Sequence, residues 1–491
     1  MIDRYTDKTI ADIWTHESKL ARWREVELAV ILARENLGRI PKGTQEQIAA
    51  SLVKIDEEFV NRWLEKEKAN GHDLAAFVEL EQDSLPANLR QEFHKDMTSF
   101  DTEEPAFAAM LEKSVYEIVN MVLGLLRTVK TKALEYRFVP MLGRTHCRTA
   151  EIQSFGRRWL TWYVNVKLAL EKLENASIRP KFSKLSGALG TGSGIDPELE
   201  EVALRILGLK PFVGATQIMP RAAYTQVADA LADFVSELEK IGIDIRLGTR
   251  DPFPLWNEPF GKNQKGSSAM PHKKNPISSE KVAGMARLAR AYASAIKEGI
   301  PAWEERDISQ SSVERVSWPD LLHVTAHALS AINKVLEGLV VYPANMLREI
   351  CSSGGTYAAS KAKTLIAEWL APHGLDAQVA YRIVQLAASN VFECPQVKEL
   401  LFRTLNDADS NFDHTLAIGN RLVSSIEDII CGGALRPSRT LDANAMGIAP
   451  LNATLQQVFA DKAKRTEWAS IFHPSYWLRN EAEQFKTVFG I

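Results

Sequence analysis

A long run of helical periodicity is the feature that most constrains how this 491-residue chain can fold. Over residues 106–136 (AFAAMLEKSVYEIVNMVLGLLRTVKTKALEY) apolar side chains recur at intervals of three and four, which places them on one face of an α-helix. Similar stretches cover residues 155–173, 222–247, 278–297 and 319–339. Several of them exceed the average helix of about 11–12 residues, as is typical of helix bundles. Because runs of period two are scarce, we predict an all-α fold with a central bundle of long helices.

Turn-forming residues divide the chain into three predicted domains. We expect an N-terminal helical domain over residues 1–103, a central long-helix bundle domain over 104–345 and a C-terminal helical domain over 346–491. Gly/Ser-rich loops at residues 186–194 and 261–268 interrupt the central part. Helices with apolar residues on more than one face need partners, and these can come from the same chain or from other subunits.

Composition excludes several classes of protein. The formal net charge of −3 gives no reason to expect binding to nucleic acid or to an anionic membrane. The N-terminus has no apolar signal region, and no apolar run reaches the roughly 18 residues of a membrane span. The cysteines, at positions 147, 351, 394 and 431, are too widely spaced for a zinc site or a disulfide framework. We therefore predict a cytoplasmic protein without a metal.

The most informative segment is GSSAMPHKKNP, at residues 266–276. Pro276 stands where a helix can begin, and Asn275 is the predicted N-cap. The N-terminus of such a helix, together with Lys273, is suited to binding a carboxylate. A loop serine such as Ser267 can donate a hydrogen bond or, if deprotonated, act as a base. The alternative is a solvated turn with an exposed lysine, and composition alone favours that alternative.

A second glycine-rich segment, KLSGALGTGSG at residues 184–194, superficially resembles a nucleotide-binding loop. It lacks a preceding strand, a βαβ context and a GK[ST] ending. We therefore predict no dinucleotide or P-loop cofactor site here.

Two further segments carry polar side chains suited to catalysis. The GRTH segment ends at His146, although a lone histidine between helices is more often structural. Thr98 and Ser99 precede Asp101, and their hydroxyls can alternatively cap a helix that begins near Glu104.

The segment ERDISQSSVER, at residues 305–315, has the composition of a phosphate site. If it is helical, Ser311 and Arg315 lie four residues apart on one face, and a hydroxyl with a guanidinium suits a phosphate. The alternative is a solvated, charged face on which Glu314 and Arg315 pair with neighbouring side chains.

These segments together resemble the signature blocks of the fumarase/aspartase superfamily. Residues 266–276 match the pattern GSSxMPxKxNP at every fixed position, and residues 94–101 resemble HxGxTSxD. GRTH with the following Ala150-Glu151 resembles a third block, and residues 184–194 resemble a KxSGAVGT loop that lines the active site. The resemblance extends over residues 2–345 and implies a three-part helical fold assembled as a homotetramer, with active sites shared between subunits.

The resemblance also implies residue roles and a reaction. Ser267 would be the general base and His146 the general acid of a β-elimination that releases fumarate without a metal or an organic cofactor. Lys273 and Asn275 would contact one substrate carboxylate. Thr98 and Ser99 would hold the succinyl carboxylate.

Further matches resemble the branch of the superfamily that cleaves succinylated purine nucleotides. Arg4-Tyr5 resembles a pair that contacts the nucleotide, and Gly71-His72-Asp73 resembles an (R/N)HD motif whose histidine holds or protonates the substrate. The remaining substrate contacts that this branch implies are Gln217, Arg306, Ser311 and Arg315.

Departures from the branch leave alternatives open. Asp96 and Cys147 stand where glycine is usual, Thr149 and Ile152 replace histidine and proline, and Gln310 replaces a frequent histidine. The nearest alternative is another lyase or a cycloisomerase of the same superfamily, acting on a different succinyl amine or dicarboxylate. A catalytically silent relative and a helical scaffold are less consistent with the motifs.

Overall fold

The structure is a computed structural model that describes residues 1–393, 454, 457, 458 and 460–490. Cys394 and Cys431 lie outside the described residues, as does much of the predicted C-terminal domain. In the described part of the chain, no helix is long and apolar enough to cross a membrane.

The described residues are mostly helical, as predicted. The helices, in chain order, are α1 (Lys8–Trp14), α2 (His16–Asn36), α3 (Thr44–Ser51), α4 (Glu57–Asn70), α5 (Asp73–Ser84), α6 (Ser99–Glu135), α7 (Phe155–Ala176), α8 (Pro197–Ile206), α9 (Arg221–Gly248), α10 (Ile277–Lys297), α11 (Ser309–Glu337), α12 (Pro343–Ser352), α13 (Ala359–Leu370), α14 (Ala377–Glu393), α15 (Lys462–Ser470), α16 (Pro474–Leu478) and α17 (Glu481–Phe489). All five long segments predicted from periodicity are helices, namely α6, α7, α9, α10 and α11.

Six short strands form three two-stranded pairs within the described residues. They are β1 (Pro140–Thr145), β2 (Arg148–Ser154), β3 (Phe182–Ser183), β4 (Lys210–Pro211), β5 (Trp256–Asn257) and β6 (Val340–Val341). β1 pairs antiparallel with β2, β3 pairs parallel with β4, and β5 pairs antiparallel with β6. The β1–β2 hairpin was not predicted from the sequence. It was also wrong that no strand precedes residues 184–194, since the two-residue strand β3 ends there.

The described residues form two compact units, each assembled from separate segments of the chain. The first unit comprises Met1–Thr128, Asn165–Arg246 and Phe260–Gly338, and the second comprises Val129–Val164, Leu247–Pro259 and the described part of Leu339–Ile491. The three-domain division of the sequence stays a prediction.

Aromatic side chains hold the first unit together. Trp23 packs edge-to-face against Trp63 and Phe77, in a buried core that α2, α4 and α5 share. Among the long helices, Phe107 of α6 contacts Tyr224 of α9 and Trp318 of α11, with ring centroids 5.1 and 5.7 Å away. These contacts fix α6 and α11, which carry the predicted site residues Ser99, Ser311 and Arg315.

The second unit has its own apolar core. Leu142 of β1 and Ile152 of β2 are buried there with Tyr357, Trp369 and Phe472. One face of the hairpin is therefore packed on the C-terminal helices, and this packing holds its strands in place.

Candidate active site

His72 and Ser99 are neighbours in the first unit. α4 ends at Asn70, its C-cap Gly71 has a left-handed φ of 71°, and His72 then caps α5. The ring Nδ1 of His72 accepts a hydrogen bond of 3.3 Å from the backbone N–H of Ala75. Because Nδ1 is an acceptor, the neutral ring carries its proton on Nε2, which lies 3.3 Å from the hydroxyl of Ser99. The cap thus sets the tautomer and directs an N–H at Ser99.

Thr98 and Ser99 stand at the beginning of α6. The helix starts at Ser99, so the predicted start near Glu104 was wrong. The N–H of Thr98 donates to the carboxylate of Asp101 over 2.9 Å, which satisfies a donor at the helix N-terminus. This carboxylate holds the Thr98–Ser99 segment in place.

Asp101 also forms a buried ion pair with Lys184. The ammonium lies 2.6 Å from the carboxylate, and neither side chain is exposed. Lys184 further donates to the carbonyls of Gly187 and Gln217 over 2.8 and 3.2 Å. The pair therefore links the start of α6 with two loops. Neither residue was predicted to have a role in the site, although both lie inside segments that carry the superfamily resemblance.

Gln217 and Arg306, both predicted to bind substrate, are hydrogen-bonded to each other. The guanidinium of Arg306 donates to Gln217 Oε1 over 2.9 Å and lies 3.9 Å from the ring centroid of Phe100. Burial lowers the pKa of Arg306, which nevertheless keeps its charge at any physiological pH. The charge faces the segment that carries Thr98 and Ser99.

Arg315 and Asp73, from the predicted phosphate motif and the predicted His-Asp motif, form an ion pair of 2.9 Å. Lys19 approaches the same carboxylate to 3.4 Å. Burial works to raise the pKa of Asp73, but the charges of Lys19 and Arg315 outweigh it and hold that pKa below its usual value. The alternative proposed for Arg315, pairing with a neighbouring carboxylate, is therefore realised in this structure.

A cavity of about 320 Å³ lies beside this ion pair. Asp73, Ser311 and Arg315 line it, so three of the predicted substrate contacts share one space. Aromatic rings form part of its wall, and they belong to Trp14, Trp23, Trp63, Phe100 and Phe107. Ser311 and Arg315 lie on α11, as the i,i+4 spacing predicted.

A second buried network supports the cavity. Arg221 of α9 pairs with Glu104 of α6 and, over 3.0 Å, with Glu314 of α11. Tyr224 donates to Glu104 over 3.2 Å. The network connects the three long helices around the site and was not recognised from the sequence.

The loop at residues 266–276 is folded on itself. A Cβ at Gly266 would lie 2.0 Å from the carbonyl oxygen of Lys273, so only glycine fits there. The Asn275 side chain donates to the Gly266 carbonyl over 2.9 Å. Asn275 is not the N-cap of α10 as predicted; Pro276 occupies that position, and the Asn275 amide is engaged across the loop instead.

Ser267 accepts two backbone hydrogen bonds inside this loop. The N–H groups of Ala269 and Met270 point at its Oγ over 3.3 and 3.1 Å. Lys273 is exposed to solvent. Among the described residues, no hydrogen bond joins Ser267, Lys273 or Asn275 to the other predicted site side chains.

His146 lies at the tip of the β1–β2 hairpin, in the second unit. Thr145 pairs with Arg148, so His146 and Cys147 form a two-residue loop with φ values of 51° and 60°. Positive φ at both positions is the geometry of a type I′ turn, which favours glycine at the second one. Cys147 therefore occupies a left-handed position, which explains why glycine is usual there. Both side chains are exposed.

The flanks of this hairpin are tied to helices of the same unit. Arg144 pairs with Glu349 of α12 over 2.9 Å, and Ser360 of α13 donates to Glu151 over 2.5 Å.

Asp96 and Gln310 mark two further departures from the branch. Asp96 has a φ of 59°, a left-handed conformation that glycine adopts freely and aspartate tolerates. Its carboxylate lies 3.4 Å from Arg34. Gln310 is buried, and neither polar atom of its side chain has a hydrogen-bond partner among the described residues.

Arg4 and Tyr5 lie in a short 3₁₀ turn against α11. The ring of Tyr5 packs edge-on against His327, with centroids 5.3 Å apart. Within the described residues neither side chain hydrogen-bonds to the other predicted substrate contacts.

A family model described as Lyase matches residues 1–290. The adenylosuccinate lyase of Aquifex aeolicus (strain VF5) is 38% identical over 393 residues, which cover 80% of this chain and 89% of that protein. The chain belongs to the adenylosuccinate lyase family. The family member of Bacillus subtilis (strain 168) is 34% identical over 417 residues, 85% of this chain and 94% of its own length.

Solved structures show the same fold at lower sequence identity. A fumarate lyase from Mesorhizobium sp. BNC1 has a TM-score of 0.72 at 21% identity and covers 91% of this chain and 99% of its own. A 3-carboxy-cis,cis-muconate lactonizing enzyme from Pseudomonas putida has a TM-score of 0.71 at 19% identity, with 91% and 98% covered. This chain therefore shares its mostly helical fold with these two enzymes.

Proposed function

We propose that this chain cleaves the C–N bond of adenylosuccinate to give AMP and fumarate in purine biosynthesis, and that it acts likewise on the succinylated imidazole-carboxamide nucleotide. The observation that carries the proposal is the shared cavity of Asp73, Ser311 and Arg315 in a chain of this family. A phosphate ligand needs such a cation and hydroxyl, whereas fumarase and aspartase substrates carry no phosphate.

The reaction is a β-elimination by general acid and base. Ser267 removes a proton from the carbon next to one carboxylate of the succinyl group, and the electron pair forms the double bond of fumarate as the C–N bond breaks. Lys273, Asn275 and loop N–H groups stabilise the charge that develops on that carboxylate. His146 donates a proton to the departing nitrogen.

The loop geometry supports Ser267 as the base. A serine alkoxide forms only where its charge is stabilised, and hydrogen bonds to the charged form favour that form. The N–H groups of Ala269 and Met270 already point at the Oγ of Ser267. Closure of this loop over the substrate would exclude water and bring the base within reach.

The succinyl group is held at the start of α6. Thr98 and Ser99 offer hydroxyls next to the N-terminus of the helix, where partial positive charge favours a carboxylate. His72 donates through Nε2 and either orients Ser99 or binds the substrate directly.

The nucleotide end of the substrate binds to residues of α11 and neighbouring segments. Ser311, Arg315 and Arg306 recognise the phosphate, and Gln217 contacts the substrate beside Arg306. Arg4 and Tyr5 contact the nucleotide. Arg315 must then exchange Asp73 for the phosphate, while Lys19 remains to neutralise that carboxylate.

We further propose a cytoplasmic homotetramer whose active sites combine residues of different subunits. The exposed apolar side chains of the long helices support this assembly; Tyr116 and Leu123 of α6 and Leu168 of α7 are examples. Shared sites can be tested by mixing two variants, Ser267→Ala and His146→Gln, each of which is first shown to be inactive on its own. Hybrid tetramers should regain part of the activity, whereas no recovery in mixed tetramers of proven composition would contradict sharing.

The substrate test compares adenylosuccinate with its dephosphorylated nucleoside. We expect kcat/KM to fall by at least about 100-fold without the phosphate, since its charged hydrogen bonds, each of roughly 1.5–3 kcal/mol, are then lost. Equal turnover of both would contradict the phosphate assignment and favour another superfamily lyase or cycloisomerase.

A further inference from the structure

Glu103 lies in the cavity that holds Asp73, Ser311 and Arg315, and the mechanism above gives it no role. It is on the first turns of α6, four residues after Ser99. The side chain is partly buried and forms no hydrogen bond or ion pair within the described residues. The next residue, Glu104, is instead fully engaged by Arg221 and Tyr224.

Charged and titratable groups from several elements face this cavity. They are His16 and Lys19 of α2, Glu67 of α4, Asp73 of α5, Glu104 of α6, Arg221 of α9, and Glu314 and Arg315 of α11, with Arg306 nearby.

Every lysine and arginine that lines the cavity already has a carboxylate partner. Lys19 and Arg315 share Asp73, and Arg221 is held by two glutamates. Among the described residues, Glu103 has no lysine or arginine as an ion-pair partner. Burial, and after it the charge of Asp73, raise the pKa of Glu103 to about 7 against the lowering effect of Lys19. Both protonation states are therefore populated near neutral pH.

We propose that Glu103 makes phosphate recognition by Ser311 and Arg315 depend on its own protonation, with the neutral acid permitting the phosphate and the carboxylate opposing it. The inference rests on the proposed function and identifies Glu103 as a specificity-determining residue of that site. A phosphate dianion brings further negative charge beside Asp73, which favours the uncharged acid. The protonated acid also offers an O–H donor, whereas the carboxylate only accepts.

The sign of the pH effect follows from linkage. Because the phosphate stabilises protonated Glu103, its pKa is higher in the complex than in the free protein, and binding takes up a proton. Affinity is then full below the pKa of the free protein and falls as the pH rises through it.

The test is calorimetric binding of AMP to the full chain, in buffers of different ionisation enthalpy. Near neutral pH the wild-type protein should take up a fraction of a proton. Glu103→Gln should lack this uptake and show only the proton exchange that the phosphate's own titration contributes. Between about pH 6 and about pH 8.5, the ratio of wild-type to Glu103→Gln Kd should rise by about tenfold, which corresponds to a pKa difference of one unit. The phosphate's own titration is common to both proteins and cancels in the ratio.

Two controls isolate the effect. Glu67→Gln removes another carboxylate of the same cavity and should leave the proton uptake unchanged. Adenosine lacks the phosphate, so its binding to wild-type protein should take up no proton. At about pH 8 the AMP phosphate, whose second pKa is about 6, is already a dianion and exchanges almost no proton. Measured there, the adenosine comparison needs no variant, and it decides the question even if Glu103→Gln fails to fold.

Equal proton uptake in wild type and Glu103→Gln, or in wild type with AMP and adenosine, would overturn the inference. If adenylosuccinate is cleaved and AMP binds without any proton uptake that depends on Glu103, only the role of Glu103 fails. If the chain neither cleaves adenylosuccinate nor binds AMP, the proposed function fails and the inference with it.

Discussion

Lys184 and Asp101 form an ion pair of 2.6 Å in which both side chains are completely buried. The same carboxylate accepts the N–H groups of Thr98 and Gly187 over 2.9 and 3.1 Å. One buried carboxylate thus fixes the start of α6 against the glycine-rich loop. Thr98 and Ser99, the predicted succinyl contacts, lie at that start. The ion pair should therefore support both the stability of the fold and the geometry of the site.

We predict that Lys184→Met destabilises the protein by about 3–5 kcal/mol, because it leaves the Asp101 charge buried without its partner. The change should also lower kcat, since the Thr98 segment loses its support. Thermal unfolding and a turnover assay measure the two effects. Lys172→Met is the control: its partner Asp233 is exposed, so the loss should stay below about 1 kcal/mol. Equal losses in the two variants would contradict this account of Lys184.

Cys147→Gly should stabilise the protein by about 0.5–1 kcal/mol. The residue has a φ of 60°, and a left-handed conformation costs a residue with a Cβ about 1–2 kcal/mol, part of which the greater chain entropy of glycine offsets. Cys147→Ala keeps the Cβ and should give no such gain. If alanine stabilises as much as glycine, the sulfur rather than the backbone conformation is responsible.

The long helices could be predicted because their apolar spacing is a local signal. The hairpin around His146 could not, because its turn lacks the usual glycine and because buried and exposed residues do not alternate regularly along its strands. The cap of α10 was predicted wrongly for a different reason: Asn275 has a more specific partner in the Gly266 carbonyl, nine residues away in the chain. Local sequence propensity cannot predict a contact between residues this far apart in the chain.

His72→Asn separates the two interactions of the histidine. Asparagine is itself a good N-cap, so α5 should keep its stability to within a few tenths of a kcal/mol. Its shorter amide cannot reproduce the ring N–H that faces Ser99. We therefore expect kcat/KM to fall by about 10- to 100-fold, which corresponds to the roughly 1.5–3 kcal/mol of a hydrogen bond to a charged group, with unchanged thermal unfolding. Full activity would remove His72 from the mechanism.

Arg315→Ala should raise the KM for adenylosuccinate more than it lowers kcat, because the phosphate is remote from the reacting bond. An increase of about 10- to 100-fold corresponds to the roughly 1.5–3 kcal/mol of a charged hydrogen bond. Steady-state kinetics measure the split between KM and kcat. Arg315→Lys tests geometry, since it keeps the charge without the bidentate fork. An unchanged KM in Arg315→Ala would refute the phosphate role.

The site itself was only partly predictable. The pairs His72–Ser99 and Asp73–Arg315 join residues that motif resemblance had named separately, and folding brings them together. Glu103 carried no motif signal. Its unpaired position depends on α2, α5 and α11 converging from distant parts of the chain, which no local pattern records.

The most direct test of the central claim is a spectrophotometric assay of the purified protein with adenylosuccinate, with both products quantified. The proposed function predicts prompt release of AMP and fumarate in equal amounts, and no release by Ser267→Ala. Failure of an assembled, folded protein to release either product from adenylosuccinate or from the imidazole-carboxamide analogue would contradict it, and Asp96 and Cys147 would then mark a different succinyl substrate.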